Sequence, residues 1–525
     1  MNNLNPPESD LTNLLERYQN GYYEEAEKLA IIITDQFPNH PFGWKVLGVL
    51  FGRTGRISES LDIKQKVVRL TPQDPEAYYN LGNTLIDLGR LEEAKVSYQK
   101  AITLNPDYAE AYQSIGIGLD NKGDLGAAIE SYKKAIIIKP DYAEAHNYLG
   151  IALKKIGVLE EATVSYRQAI ALNPSYAEAH YNLAITLKEL GRVEEAEASH
   201  RQAITLKPDF AEAHSNLGVT LQELDRLEEA EASYRNAISV NPGYTKARVN
   251  LGGVLKKLGK YKEAIIHFDM VNDANTRPQA LECLYKNKNF TEFNQRLNSM
   301  AILDGENIRV AAVSAFAAHQ LQRKDPYPFC KNPLDFIIIE NLAEHDVLWE
   351  SIIDGIVKES KNYKLVWESR TTKFGFQGPN NVFKKPSALV SRLENSIRGL
   401  IDSYYIKFNS ESNVFIKSWP KKNKLIGWFN RLMKNGYQNS HIHPGGWVSG
   451  VVYLKTIESP NNDDGAIEFG LHGYELPIID KNYPRKLYRP KKGDIVLFPS
   501  SLFHRTIPFT SDDERCVIAF DLEPL

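Results

Sequence analysis

Small and apolar positions recur every 34 residues through the first half of the chain. Pro72, Pro106, Pro140, Pro174, Pro208 and Pro242 form one column, and Ala94, Ala128, Ala162, Ala196, Ala230 and Ala264 a second. Gly48, Gly82, Gly116, Gly150, Gly218 and Gly252 form a third, with Ala184 in place of the missing glycine. An aromatic column runs through Tyr98, Tyr132, Tyr166, His200, Tyr234 and Phe268. A fixed period of this length marks stacked supersecondary units. Each unit is predicted to be a helical hairpin. The glycine and alanine columns let its two helices approach, and the aromatic column fills the space between neighbouring repeats. Proline ends the second helix, because it cannot continue the hydrogen-bond ladder. The first unit is degenerate (Ala26, Pro38) and the last lacks its proline after Phe268, as befits end units that face water. About eight units are expected over residues 7 to 275.

These columns resemble the tetratricopeptide repeat (TPR). The resemblance implies an all-α solenoid with an extended groove for proteins or peptides, lined mainly by the first helix of each unit. His146, His180 and His214 are also 34 apart. They are expected to fill one packing position, held by Trp44, Tyr78 and Tyr112 in earlier units, since stacked units keep equivalent residues too far apart to share a metal. The column Glu76, Glu110, Glu144, Glu178 and Glu212 suits helix N-termini, where acids are favoured. Asn80, Asn182, Asn216 and Asn250 share another position, interrupted by Ser114 and Tyr148. This resembles the asparagine ladder of O-linked N-acetylglucosamine transferases, whose amides grip peptide backbones; an amide both donates and accepts.

The register ends near Asn275. Pro278 to Leu297 reads as one more irregular hairpin and Ile308 to Gln322 as an apolar helix. A Pro- and aromatic-rich stretch from Asp325 to Leu334 then marks a boundary. Beyond it the period changes. Val448 to Leu454, Ala466 to Phe469, Asp494 to Phe498 and Cys516 to Leu522 have strand length and composition. Asn341 to Ser360 and Ser387 to Tyr404 read as helices. The domains expected are a solenoid over 1–275, a helical capping or linker segment over 276–325, and an α+β jelly roll over 326–525.

Composition narrows the functional class. With 63 Lys and Arg against 66 Asp and Glu, the chain of 525 residues carries a formal charge of −3. This excludes a basic nucleic-acid footprint. No apolar run is long enough for a membrane span and the first residues are polar, so neither a span nor a secretory signal is expected. The three cysteines, Cys283, Cys330 and Cys516, form no CxxC pair. A reducing, cytoplasmic setting without disulfides or a cysteine zinc site is expected.

Candidate chemistry concentrates near the C-terminus. His441 and His443 sit two apart before a predicted strand, so in extended backbone they share a face. His504 follows Gly493-Asp-Ile-Val-Leu-Phe-Pro, and Arg515 stands eleven residues later. Three imidazoles suit a borderline first-row metal, and a guanidinium suits a carboxylate. His472, just past Gly470, is expected at the surface, and Trp447 at the pocket rim or in the core.

The stretch from His441 to Glu523 resembles the core of the Fe(II)- and 2-oxoglutarate-dependent dioxygenases, prolyl hydroxylases among them. The resemblance implies a double-stranded β-helix, or cupin-like jelly roll, working with Fe(II), 2-oxoglutarate and O2. It places iron on His441 and His504, and the remote carboxylate of 2-oxoglutarate on Arg515 and Tyr453. The family's ligating acid is replaced here by His443. Three readings remain: His443 completes a three-histidine site; it stands behind two histidines and water; or Glu468 completes the site. The implied activity is hydroxylation, with decarboxylation of 2-oxoglutarate to succinate. A protein or peptide held by the repeats is the leading substrate, and a small molecule or glycan is the other. The competing functions are a three-histidine dioxygenase that uses no 2-oxoglutarate, such as a thiol dioxygenase, and a scaffold without turnover. No nucleotide-binding glycine motif points to a fused glycosyltransferase.

Overall fold

The computed structural model describes residues 5–525 apart from 328, 346–347, 364, 368–370, 379–380 and 458–462. The chain divides into two compact units, Met1–Tyr244 and Thr245–Leu525. Among the described residues, the first holds fourteen helices, from Glu8–Gln19 to Leu227–Val240, in successive pairs. Each pair turns at a residue with positive φ. Gly89 (φ 72°) and Gly191 (φ 77°) take this place without strain, and Asp225 stands in it at φ 57°. The proposed packing of Trp44, His146 and His214 has a polar component. Trp44 Nε1 donates to the Pro38 carbonyl at 3.0 Å, and the Nε2 atoms of His146 and His214 lie 3.2 and 3.0 Å from the Pro140 and Pro208 carbonyls.

The glycine and aromatic columns meet inside each pair. A Cβ on Gly82 would lie 2.5 Å from Tyr98 Cε1, and one on Gly150 would lie 2.6 Å from Tyr166 Cε1. The ring therefore sits on its own pair's glycine, not chiefly in the gap between repeats as the period suggested. Its far side still reaches the next pair, since Tyr132 stacks on Tyr148 at 5.8 Å. The one unit with Ala184 carries the smaller His200 ring, so methyl and imidazole share the space of hydrogen and phenol.

That exchange leaves a mark on stability. His200 is fully buried and neither ring nitrogen has a partner. Burial pushes its pKa down to about 4. The unfolded imidazole titrates near 6.5, so between pH 6.5 and 4 the unfolded chain binds the extra proton and stability falls as pH falls. Restoring the column in two steps tests this. His200→Tyr alone should destabilise the array by about 1–3 kcal/mol through overpacking. Adding Ala184→Gly should reverse that loss and blunt the acid sensitivity. Chemical denaturation at pH 7 and pH 5 measures both effects, and additive single and double variants would refute the pairing.

The second unit opens with five helices, Thr245–Lys257, Tyr261–Val271, Thr276–Lys286, Phe290–Leu303 and Ile308–Gln320. Glu282 is buried among them, with Lys256 at 2.8 Å and Arg309 at 2.6 Å. A fully buried carboxylate is tolerable only with such partners. These helices pack on the domain that follows. Gln320 Oε1 accepts from the backbone of Ile479 and Asp480, and its Nε2 donates to the Asp480 carbonyl.

The following strands are β1 (Ile338–Asn341), β2 (Val366–Trp367), β3 (Thr372–Gln377), β4 (Asn423–His441), β5 (Val448–Lys455), β6 (Ile467–Gly470), β7 (Arg485–Tyr488), β8 (Asp494–Pro499), β9 (Phe503–Thr506) and β10 (Arg515–Pro524). They pair antiparallel in the order β1-β8-β5-β10-β4-β9-β6-β7, with β3 also on β4 and β2 on β3. This is the expected antiparallel jelly-roll region. Helices Trp349–Ser360 and Ala388–Phe408 accompany it, and Phe336, Tyr404, Phe415 and Trp419 form one aromatic cluster. Trp447 belongs to the same core, its Nε1 donating to the Phe415 carbonyl at 2.8 Å.

The longest strand, β4, has no counterpart in the sequence reading. Its first ten residues pair with β10, and its end meets β9 at Gln438 and His441. Between these stretches the register shifts at Asn435, where φ is 64°. A bulge re-aims the strand, which carries His441 to the site.

Candidate metal centre

The three histidines come from the end of β4, the loop after it and β9. His441 and His504 are cross-strand partners, with ring centroids 4.3 Å apart. The backbone N–H of His443 donates to the Ser500 carbonyl at 3.1 Å, which folds the loop so that its ring lies 5.2 Å from His441 and 5.0 Å from His504. One ring nitrogen from each lies within 4.8 Å of the others. Each Nδ1 already faces an acceptor: the Asn439 carbonyl at 2.6 Å for His441, Asp521 at 2.6 Å for His443 and the Leu502 carbonyl at 3.2 Å for His504. That fixes the tautomer and leaves Nε2 as the lone-pair donor of each ring.

The electrostatics agree. Burial, followed by the neighbouring His443, pushes His441 down to about 4. Burial, then His441 and His443, holds His504 well below the usual imidazole range. These two rings are neutral at pH 7, as a metal ligand must be.

The β10 strand builds the rest. Arg515, Val517, Ala519 and Asp521 alternate on one face and line the same cavity as the histidines, about 270 Å³ in volume. Six residues of strand separate Arg515 from Asp521 by about 20 Å. The cavity therefore has a cationic end, an apolar middle and an imidazole end. Arg515 is only 2 % exposed, and among the described residues its Nε and Nη1 find no hydrogen-bond partner. Its guanidinium carbon lies 5.0 Å from the centre of the Tyr453 ring, whose buried hydroxyl has no hydrogen bond of normal geometry among the described residues. Burial raises the Tyr453 phenol and the Arg515 charge opposes that rise. Buried donors without partners are costly, and one anion would satisfy them together. Three clustered imidazoles and a buried guanidinium across one cavity fit a first-row metal with a carboxylate-bearing ligand.

Glu468 is elsewhere. Its strand neighbour Phe469 pairs with His504, whereas Glu468 pairs with Arg505 on the opposite face, at 2.9 Å. The third reading of the site therefore fails, because alternation along β6 turns this carboxylate away. His472, expected at the surface, is half-buried, with its ring 5.3 Å from Phe316 and 5.8 Å from Tyr483. Sequence reasoning missed Trp428, Asn430 and Asp521 in the cavity lining. Asn430 is 1 % exposed and its Oδ1 has no partner among the described residues. The signal for the first two was period-two alternation along β4, which Gly427, Gly436 and four asparagines obscured.

The asparagine candidates divide between the units. Asn182 Nδ2 donates to Asn147 Oδ1 at 3.0 Å and Asn216 Nδ2 to the Tyr181 hydroxyl at 2.9 Å, so both already bridge to the preceding repeat. Asn80 lies half-buried in the first unit and Asn250 half-buried in the second. Within the acidic column, Glu110 and Glu178 pair with Lys139 and Lys207.

Two family models match separate parts of the chain. A family model described as "Putative 2OG-Fe(II) oxygenase" matches residues 427–521, which include all three histidines, Tyr453, Arg515 and Asp521. A model described as the cilia and flagella-associated protein 70 C-terminal domain, a TPR domain, matches residues 41–284. Neither spans half of the chain. No curated protein matches. Among solved structures, the TPR protein YrrB is 26% identical over 35% of this chain and 95% of its own, with a TM-score of 0.31. MamA is 27% identical over 32% of this chain and 97% of its own, with a TM-score of 0.30. No described helix is long and apolar enough to cross a membrane.

Proposed function

We propose that the β-rich domain is a non-haem Fe(II)- and 2-oxoglutarate-dependent hydroxylase and that the repeats recruit a protein or peptide substrate. One observation carries this reading: three clustered imidazoles share a cavity with a buried guanidinium, two of whose nitrogens have no hydrogen-bond partner among the described residues. His441, His443 and His504 would hold Fe(II), which when bound supplies oxygen activation coupled to decarboxylation of 2-oxoglutarate. Arg515 binds the remote carboxylate through parallel N–H donors. The Tyr453 hydroxyl donates to the same group, and the Asn430 amide meets the polar atoms between. Val451, Val517 and Ala519 keep water from the middle of the cavity. A volume of about 270 Å³ suits a small diacid rather than a large ligand, so the hydroxylated group enters from the mouth. Asn80, Asn182, Asn216 and Asn250 of the repeats are the proposed peptide contacts.

The test is succinate formation from 2-oxoglutarate by anaerobically purified full-length protein, supplied with Fe(II) and then air. Iron-dependent succinate is the expected result. Bound iron without succinate would turn the reading toward a three-histidine dioxygenase that needs no cosubstrate. Neither iron nor succinate would leave the scaffold.

A further inference from the structure

Asp521 is 7 % exposed and lies on the inner face of β10, opposite Ser449 of β5. Its Oδ1 accepts from His443 Nδ1 at 2.6 Å and from Ser449 Oγ at 2.6 Å, and Ser449 Oγ lies 2.8 Å from Ser500 Oγ. Among the described residues it has no Lys or Arg partner. A buried carboxylate without a cation is expensive unless a positive charge reaches it by another route. The other two imidazoles rest their Nδ1 on neutral backbone carbonyls. His443 alone rests on a carboxylate, and His443 is the position where the resembling family carries its acid. The local chain makes room for the arrangement. A Cβ on Gly446 would lie 2.7 Å from Ser500 Oγ and 3.0 Å from Asp521 Cγ.

We propose that Asp521 is a positioning residue of the metal centre: the negative charge lost from the ligand set sits one residue further out and acts through His443. The proposal rests on the reading of the three histidines as ligands. A carboxylate that accepts Nδ1–H fixes the ring's orientation and tautomer and raises the basicity of its Nε2. The pair His443–Asp521 thus presents a more anionic ligand than His441 or His504. The bound metal in turn places a positive charge behind the ring that Asp521 orients.

Titration of the full-length apoprotein with Co(II), followed by its d–d absorption, tests this. Asp521→Asn keeps the shape and removes the charge. It should weaken Co(II) binding by about 10–100-fold and shift the absorption band. Unchanged affinity with an unchanged band overturns the proposal, even if apoprotein stability falls, since that pattern describes an ion pair with only a structural role. Ser449→Ala covers the case in which Asp521→Asn does not fold. It removes the other hydrogen bond to Asp521 and should weaken Co(II) binding by a smaller factor, and an unchanged affinity there also overturns the proposal. Wild-type protein that binds neither Co(II) nor Fe(II) removes the metal reading itself, a distinguishable failure.

Discussion

Arg515→Met is expected to raise the 2-oxoglutarate concentration needed for half-maximal succinate formation by roughly 30-fold to several-thousand-fold. The range follows from the about 2–5 kcal/mol lost when one member of a buried, hydrogen-bonded charge pair is removed, at about 1.4 kcal/mol per tenfold. Methionine keeps the volume against Tyr453 and removes the donors. The same substitution should not destabilise the apoprotein. Arg515 is 2 % exposed, with two nitrogens that have no partner among the described residues, so without an anion its charge is a liability, and a hydrophobic replacement of similar size is neutral or stabilising. Loss of cosubstrate affinity with an unchanged or higher Tm is the signature of a binding residue. Succinate kinetics and scanning calorimetry on the same preparation measure both. A variant with unaltered 2-oxoglutarate dependence would remove Arg515 from the site. Arg515→Lys should recover only part of the affinity, because an ammonium cannot form the bidentate fork.

His504→Ala should remove metal binding altogether at micromolar concentrations. Metal affinities of about 10–16 kcal/mol shared among a few ligands correspond to roughly 3 kcal/mol or more per ligand, or about 100-fold or more for each one lost. His504 is the most constrained of the three, buried on β9 and packed against Phe498 at 4.7 Å as well as His441. Its ring therefore cannot be replaced by a neighbouring side chain swinging in. Succinate formation should fall to background. Arg515→Met, by contrast, should still bind metal, so the two variants separate the metal end of the cavity from the carboxylate end. Anaerobic Fe(II) titration distinguishes them, and a His504→Ala protein that retains wild-type affinity would move the ligand set elsewhere.

The site was unevenly legible. His441 and His443 could be paired from their spacing, but it is the loop contact of His443 with Ser500, not extended alternation, that brings their rings together. His504 and Arg515 were reachable through the Gly493–Pro499 strand pattern and the family resemblance. Asp521 was not. It lies inside an apolar run, Cys516 to Leu522, where a single acid reads as an exception to a strand pattern. Only the pairing of β10 with β5 sets it opposite Ser449 and turns it toward His443. Asn430 and Trp428 were hidden for a related reason. Their strand is rich in asparagine and poor in β-branched residues, so its alternation carries little hydrophobic signal. The dismissal of Glu468 likewise needed the β6–β9 register, since a shift of one residue would have turned it inward.

For the repeat array the sequence by itself was nearly sufficient. A 34-residue period in proline, alanine, glycine and aromatic positions determines helix pairs, because each unit contacts chiefly its neighbours and the information is local. The chain also carried the candidate chemistry, three imidazoles and a guanidinium that suit a metal and a carboxylate, with the family resemblance joining the last two residues to the first. Tertiary structure decided which polar groups meet. It set each aromatic ring on its own pair's glycine, turned Glu468 away, and brought Asp521 behind His443 across 78 residues of chain. The physical reason is that strand pairing is non-local. Period two says which residues share a face, and only register and bulges say what that face confronts.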